Sequence, residues 1–195
     1  TDVEALSHAS LFWRSFTHWI GGMGVLVFLL AVVQMTGGSN MNLMRAESPG
    51  PSVGKLVPKM RYTARILYAL YFILTIVEIV FLVCGDMPVF DAVTASLGTA
   101  GTGGFGIKND SMASYSPYIQ WVITIFMALF GVNFNFYYFL VLRQLGKALK
   151  MEEVRAYFAV IITSIVVICV NTADLYTNIA DNIRTSAFQV SSIIT

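Results

Sequence analysis

The sequence predicts an all-α membrane protein built from helix–pore loop–helix repeats, and three observations carry that prediction. The chain of 195 residues is 56% hydrophobic and 12% charged, against about 25% charge in a soluble domain, and its mean hydropathy is +0.71. Its apolar residues gather into long runs whose connectors alternate between basic and acidic. Between the second and third runs lies Phe90 to Gly106, FDAVTASLGTAGTGGFG, where a short amphipathic segment passes straight into glycine- and threonine-rich backbone. Open backbone of that kind is tolerated at membrane depth only where it is buried in protein or lines a watery path.

The runs are read in order. The first spans about Leu11 to Val33, the second about Ile66 to Val83 and the third about Tyr118 to Leu142. The fourth, about Ala156 to Val170, is shorter than the ~20 residues a crossing needs and must borrow from its flanks. Two amphipathic segments, Pro88 to Thr99 and Thr185 to Ile194, are too short to cross and suit re-entrant half-helices. The first ten residues carry acids but no basic n-region, so no signal peptide is read there. The chain ends at Ser191-Ser192-Ile193-Ile194-Thr195 in mid-motif, and we read it as a piece of a longer polypeptide.

Charge placement gives orientation. Arg45, Lys55, Lys59, Arg61 and Arg65 face one acid, Glu47, between runs one and two; Arg143, Lys147, Lys150 and Arg155 lie with Glu152 and Glu153 between runs three and four. The other connectors hold Asp2, Glu4, Asp86, Asp91, Asp110, Asp174 and Asp181. The positive-inside rule makes the basic loops, 35–65 and 143–155, cytoplasmic. Runs two and three then both have their ends at the glycine loop outside, so Pro88 to Gly106 must dip in and return on the same side. The unit is helix, half-helix, loop, helix, and it begins again at Thr185, an internal repeat of the kind that generates a pore at a pseudo-symmetry axis. A net charge of +1 excludes a nucleic-acid surface.

A backbone carbonyl array in such a loop is the basic device of a cation filter. A dehydrated potassium ion needs several oxygen ligands, and glycine permits the conformations that aim successive carbonyls at one axis. The half-helix before the loop points its partly negative end at the site. Ala100, Gly101, Thr102 and Gly103 are the expected ligands, with Thr195 at the matching edge of the next repeat and Thr99 and Gly104 in support. Gly101 to Gly106 also satisfies G-x-G-x-x-G. A dinucleotide site would need a preceding strand, a following helix and an acid about 20 residues on, and none of these is present. The remaining bland reading is a glycine turn with no ligand.

Several motifs in order resemble the Trk/Ktr/HKT superfamily of potassium transporters. Trp13-Arg14-Ser15-Phe16-Thr17-His18-Trp19-Ile20-Gly21-Gly22-Met23-Gly24 looks like the helix that follows a pore loop there. Arg45 to Pro51 is similar to the first intracellular loop, Ala100 to Phe105 to the second pore loop, and Gly131-Val132-Asn133-Phe134 to the second inner helix. The resemblance implies four repeats around a pseudo-fourfold pore, with one filter glycine per repeat, here Gly103. It implies that residues 1–34 end repeat one, 35–62 form a cytoplasmic loop, 63–150 make repeat two with its pore helix and filter at 88–106, and 151–195 begin repeat three. The implied function is potassium uptake across the plasma (inner) membrane, with sodium left open as a second ion and no enzymatic step. The implied partners are the rest of the same polypeptide, a second copy in a homodimer, a cytoplasmic nucleotide-binding regulatory ring and the lipid bilayer. The rival class is a non-conducting membrane receptor or scaffold.

Other residues keep two readings. Gly21, Gly22 and Gly24 mark a hinge or, better, close helix packing of small residues. Asn133 faces a cavity or bonds to a neighbouring helix. Glu78, an acid at membrane depth, is a functional suspect by default, although a buried hydrogen bond is favoured. His8 and His18 read as interface packing, and Cys84 and Cys169 as small core residues. Arg143, Lys147, Lys150 and Arg155 are topology determinants that could also dock a partner.

Overall fold

The computed structural model describes residues 2–22, 24, 60–141, 144, 146, 148 and 150–194. All regular structure among them is helical. Helix α1 (His8–Gly22) begins where Ser7 Oγ accepts from the Ser10 amide at 3.3 Å, the side-chain capping that an exposed helix start requires. The rest of the first apolar run, and the basic connector 35–59, lie outside the described residues.

Helix α2 (Met60–Cys84) contains a 19-residue apolar span, long enough to cross a bilayer. It closes at Gly85-Asp86, with Asp86 at φ 63°, and Pro88 then starts helix α3 (Val89–Ala100). Twelve residues rise about 18 Å, a little over half of a hydrocarbon core about 30 Å thick. Every residue from Thr94 to Ala100 is buried, so α3 is enclosed on all sides over its inner half. It packs against α1, α2 and helix α4 (Pro117–Phe130). Ser116 caps α4, accepting from the Ile119 amide, and Pro117 opens it in the position where a missing N–H does no harm.

The third apolar run is two helices, not one. After α4 the chain breaks at Gly131-Val132-Asn133 and resumes as helix α5 (Phe134–Val141). Carbonyls freed by such a break must find donors in a medium without water. Tyr137 Oη donates to the Leu129 carbonyl at 2.6 Å and Tyr157 Oη to the Ala128 carbonyl at 3.1 Å. The Leu129 carbonyl also accepts from the Gly131 and Val132 amides, and the phenols add donors beside them.

Helix α6 (Glu152–Asn171) is the fourth span, extended by its flanks to 20 residues. A short 3-10 turn, Ala173–Leu175, leads to helix α7 (Ile179–Ile193), which packs on α4 and α6. Helix α7 starts six residues before Thr185, because Asn178 Oδ1 caps it by accepting from the Ala180 amide. Buried Asn182 ties α7 to α6, donating to the Cys169 carbonyl at 2.9 Å and accepting from Thr172 Oγ1 at 2.8 Å. Helices α2 and α6 turn Phe72, Ile73, Val80, Ile162, Val166 and Val167 outward. Cys84 is exposed and Cys169 half-buried, both free, so neither is the core residue expected. They sit near span ends, where this chain supplies no second layer.

Candidate functional site

The glycine loop hangs from the inner end of α3. Its first turn has the hydrogen bonds of a Schellman cap: the Gly103 amide donates to the Gly98 carbonyl at 3.1 Å and the Thr102 amide to the Thr99 carbonyl at 2.6 Å. The left-handed position of that motif, usually glycine, is Thr102 at φ 63°. A β-branched residue there is an outlier of about 1–2 kcal/mol. Thr102 Oγ1 donates to the Gly101 carbonyl at 2.6 Å, a local bond that helps to hold it.

Two glycines of the loop are notches for α1. His18 fits against Gly101 and Gly103: a Cβ on Gly101 would collide with the imidazole ring, and one on Gly103 would stand 2.8 Å from His18 Nε2. His18 Nε2 lies 3.0 Å from the Gly101 carbonyl oxygen. A carbonyl only accepts, so Nε2 carries the proton in that bond. The Phe105 ring meets His18 edge-on at 5.0 Å, and the Arg14 guanidinium stacks over it at 4.2 Å. On the other side, Gly104 adopts φ 62°, and a Cβ there would stand 2.6 Å from the Met127 sulfur and 3.5 Å from Phe188 of α7. Three helices besides α3 therefore shape one loop.

Gly22 at the end of α1 lies close against the loop backbone. An added Cβ would lie 2.9 Å from Gly101 Cα, 3.0 Å from the Ala100 carbonyl oxygen and 2.5 Å from Tyr71 Oη. Around Gly21 there is open space, so of Gly21 and Gly22 the latter is the one in contact. Gly24 takes φ 78° just beyond the helix.

Thr99 is wholly buried and donates to the Ala95 carbonyl at 2.9 Å, so its side chain supports the helix end. Asn133 sits in the α4–α5 break and donates to Glu153 Oε2 at 2.7 Å, a bond to a neighbouring helix. Glu78 is 0% exposed, and neither of its carboxyl oxygens has a hydrogen-bond partner among the described residues, contrary to the bond expected for it. His8 packs on Phe90 at 4.7 Å. Thr195 lies outside the described residues, as do Arg143 and Lys147. No cluster of metal-binding side chains occurs among the described residues.

The outer part of the loop is held by Gln120. Its amide nitrogen lies 3.0 Å from the Met112 carbonyl, 3.1 Å from Tyr115 and 3.4 Å from Ala113, and its oxygen accepts from Arg184 Nε of α7 at 2.9 Å. Arg184 also pairs with Asp181 at 2.7 Å. Tyr115 Oη donates to Asp91 Oδ2 at 2.8 Å; burial, then the Asp91 carboxylate, hold the phenol above its ordinary range. Asn109 pins the segment before α1, donating to Asp2 Oδ1 at 2.8 Å and accepting from the Val3 amide at 2.8 Å.

The glycine loop on its buried half-helix is thus clasped by α1, α4 and α7. The family model described as TrkH, cation transport protein, matches residues 1–193. The chain belongs to the TrkH cation transport family. The Trk system potassium uptake proteins TrkH of Salmonella typhimurium and of Escherichia coli K12 are each 34% identical to it over 202 residues, covering 99% of this chain. A crystal structure of the potassium transporter TrkH from Vibrio parahaemolyticus superposes with a TM-score of 0.76 at 28% identity, over 98% of this chain. The chain spans 41% of the length of the Salmonella and Escherichia relatives and 39% of the Vibrio chain.

Within this TrkH-family chain, sequence reasoning found the loop but not its clasp. His18 was legible only as interface packing and Arg14 only as part of a motif, because their partner Phe105 stands far along the chain. The signal available was their place one and two turns before Gly22, on the face of α1 that meets α3.

Proposed function

We propose that this chain is part of the pore-forming subunit of a potassium uptake system, conducting K⁺ across the inner membrane, with passage of Na⁺ left open. In this reading residues 1–34 close repeat one, 63–150 form repeat two and 151–195 open repeat three around a pseudo-fourfold pore. The remaining repeats come from the same polypeptide. Its further partners are a second copy and a cytoplasmic nucleotide-binding ring that docks on the basic loops. Transport proceeds down an electrochemical gradient without covalent chemistry.

One observation carries the reading: Gly101 to Gly104 leave a helix C-terminus inside the fold, where the helix dipole favours a cation, and no charged side chain is needed to hold one. Ala100, Gly101, Thr102 and Gly103 supply the carbonyls, with Thr195 from the next repeat. The Gly101 oxygen already accepts from His18 and Thr102, which together fill its two lone pairs. An ion bound at Gly101 therefore displaces one of those donors.

The test is rubidium uptake into liposomes holding the full-length parent, with and without Gly103→Ala. Selective flux that the substitution degrades supports the filter. No flux from well-folded protein under several gradients, with regulators present, moves the receptor or scaffold reading to first place.

A further inference from the structure

Helix α1 presents three residues to the loop at a spacing of four: Arg14, His18 and Gly22. Gly22 lies against the Gly101 backbone, and His18 against Gly101 and Gly103. Arg14 reaches further along the chain, to Phe105, where its guanidinium stands 4.2 Å from the ring centroid. That guanidinium has no ion pair or hydrogen bond among the described residues, and its charge is met instead by the π face of the ring.

Phe105 in turn folds the loop back on itself. A Cβ on Gly103 would stand 2.7 Å from the ring's Cδ1, and one on Gly98 would touch its Cε2 at 3.4 Å. The ring therefore covers the turn that the Gly103 amide and the Gly98 carbonyl close at 3.1 Å. The His18 imidazole meets it edge-on at 5.0 Å. Carbonyls spaced for potassium reject the smaller sodium ion to the extent that the backbone does not close in on it. A ring seated against Gly103 opposes that closure sterically, and a cation on its face keeps it seated.

We propose that Arg14 is a positioning residue for ion selection: its guanidinium holds the Phe105 ring against Gly103, and the seated ring keeps the Gly101 to Gly104 backbone from closing on a smaller cation. The inference rests on the filter reading of that loop. It assigns part of the discrimination to α1, through two side chains outside the expected ligand set.

The experiment uses the full-length parent in liposomes, reading rubidium uptake with and without competing sodium, and the thermal midpoint of each purified variant. Arg14→Gln takes the charge off the ring, and discrimination is expected to fall about fivefold, the factor a cation–π contact supplies. Arg14→Lys returns a cation without the planar stack and is expected to fall between the two. Phe105→Leu keeps an apolar side chain without a π face and is expected to match Arg14→Gln, with no further loss in the double variant. Loss of a positive charge by itself acts on rubidium and sodium alike, so it would alter total uptake and leave their ratio unchanged.

Wild-type discrimination in a folded Arg14→Gln overturns the proposal. Additive losses in the double variant overturn it too, because the two residues would then act independently. So does an Arg14→Lys no better than Arg14→Gln, since a cation on the ring would not be the working element. If Arg14→Gln does not fold, Phe105→Leu is read in its place; if neither folds, the pair is structural and the proposal falls. Gly103→Ala in parallel separates the two readings. If it degrades discrimination while Arg14→Gln and Phe105→Leu do not, the filter stands and the clamp falls. If none of the three changes it, both fall.

Discussion

His18 Nε2 lies 3.0 Å from the carbonyl oxygen of Gly101, so a side chain on α1 holds the backbone that follows α3. In the repeat scheme proposed above, those two elements belong to different repeats. Replacing His18 by Leu removes the donor, and the folded full-length protein is expected to lose about 1 kcal/mol, the net value of one such bond. His18→Gln keeps an N–H donor and is expected to recover part of that loss. Thermal denaturation of the three proteins side by side checks the order.

Gly22 gives a sharper contrast. A Cβ there meets backbone at 2.9 and 3.0 Å, whereas one on Gly21 meets nothing within 4 Å. Backbone cannot swing aside as a side-chain tip does, so Gly22→Ala is expected to destabilise by about 1–3 kcal/mol. Gly21→Ala is expected to be neutral or slightly stabilising, since alanine favours a helix. Equal effects from the two substitutions would contradict the packing described here.

Gln120 joins the outer loop to α7 with both ends of its amide. Gln120→Leu strips the donor shared among three carbonyls and leaves Arg184 Nε without its acceptor. Arg184→Ala removes a single bond to Gln120 and an ion pair whose aspartate is 45% exposed and so contributes little. The expected ranking is a loss of about 2 kcal/mol for Gln120→Leu and about 1 kcal/mol or less for Arg184→Ala. Denaturant unfolding in detergent measures both.

Tyr115 gives a pH-dependent prediction. Burial and Asp91 hold its phenol above the ordinary range, so the folded form keeps the proton longer than the unfolded form does. Its stabilising contribution is complete below about pH 10 and declines as pH rises from there toward the folded value. Tyr115→Phe, which cannot donate to Asp91, is expected to be less stable than wild type at pH 7 by about 1 kcal/mol. The gap between the two should narrow as alkaline titration passes about pH 10.

The spans and the half-helix were readable because each rests on a local signal. Run length, the sign of the connectors and the Pro88 start are all local features of the sequence. The interruption of the third run was not readable in the same way. Gly131 and Asn133 were visible, but two donors at the break are the hydroxyls of Tyr137 and Tyr157, one of which comes from another helix. The loop was found by its glycines, while the reason for each glycine is a distant neighbour: His18 for Gly101 and Gly103, Met127 for Gly104. Glu78 shows the limit most clearly. Its helix and its burial follow from the apolar run, but that no hydrogen-bond partner reaches it among the described residues is a fact of three-dimensional packing alone.

The interruption between α4 and α5 has a mechanical consequence. A continuous helix behaves as a rod, so a push on one end arrives at the other. Here the rod is cut at Gly131 to Asn133, with each half terminated by its own bonds, and Asn133 is tethered to Glu153 at the start of α6. The α4–α5 break is therefore tied to α6 rather than bridged along one axis, and α6 packs on α7, whose Phe188 stands with Met127 beside Gly104.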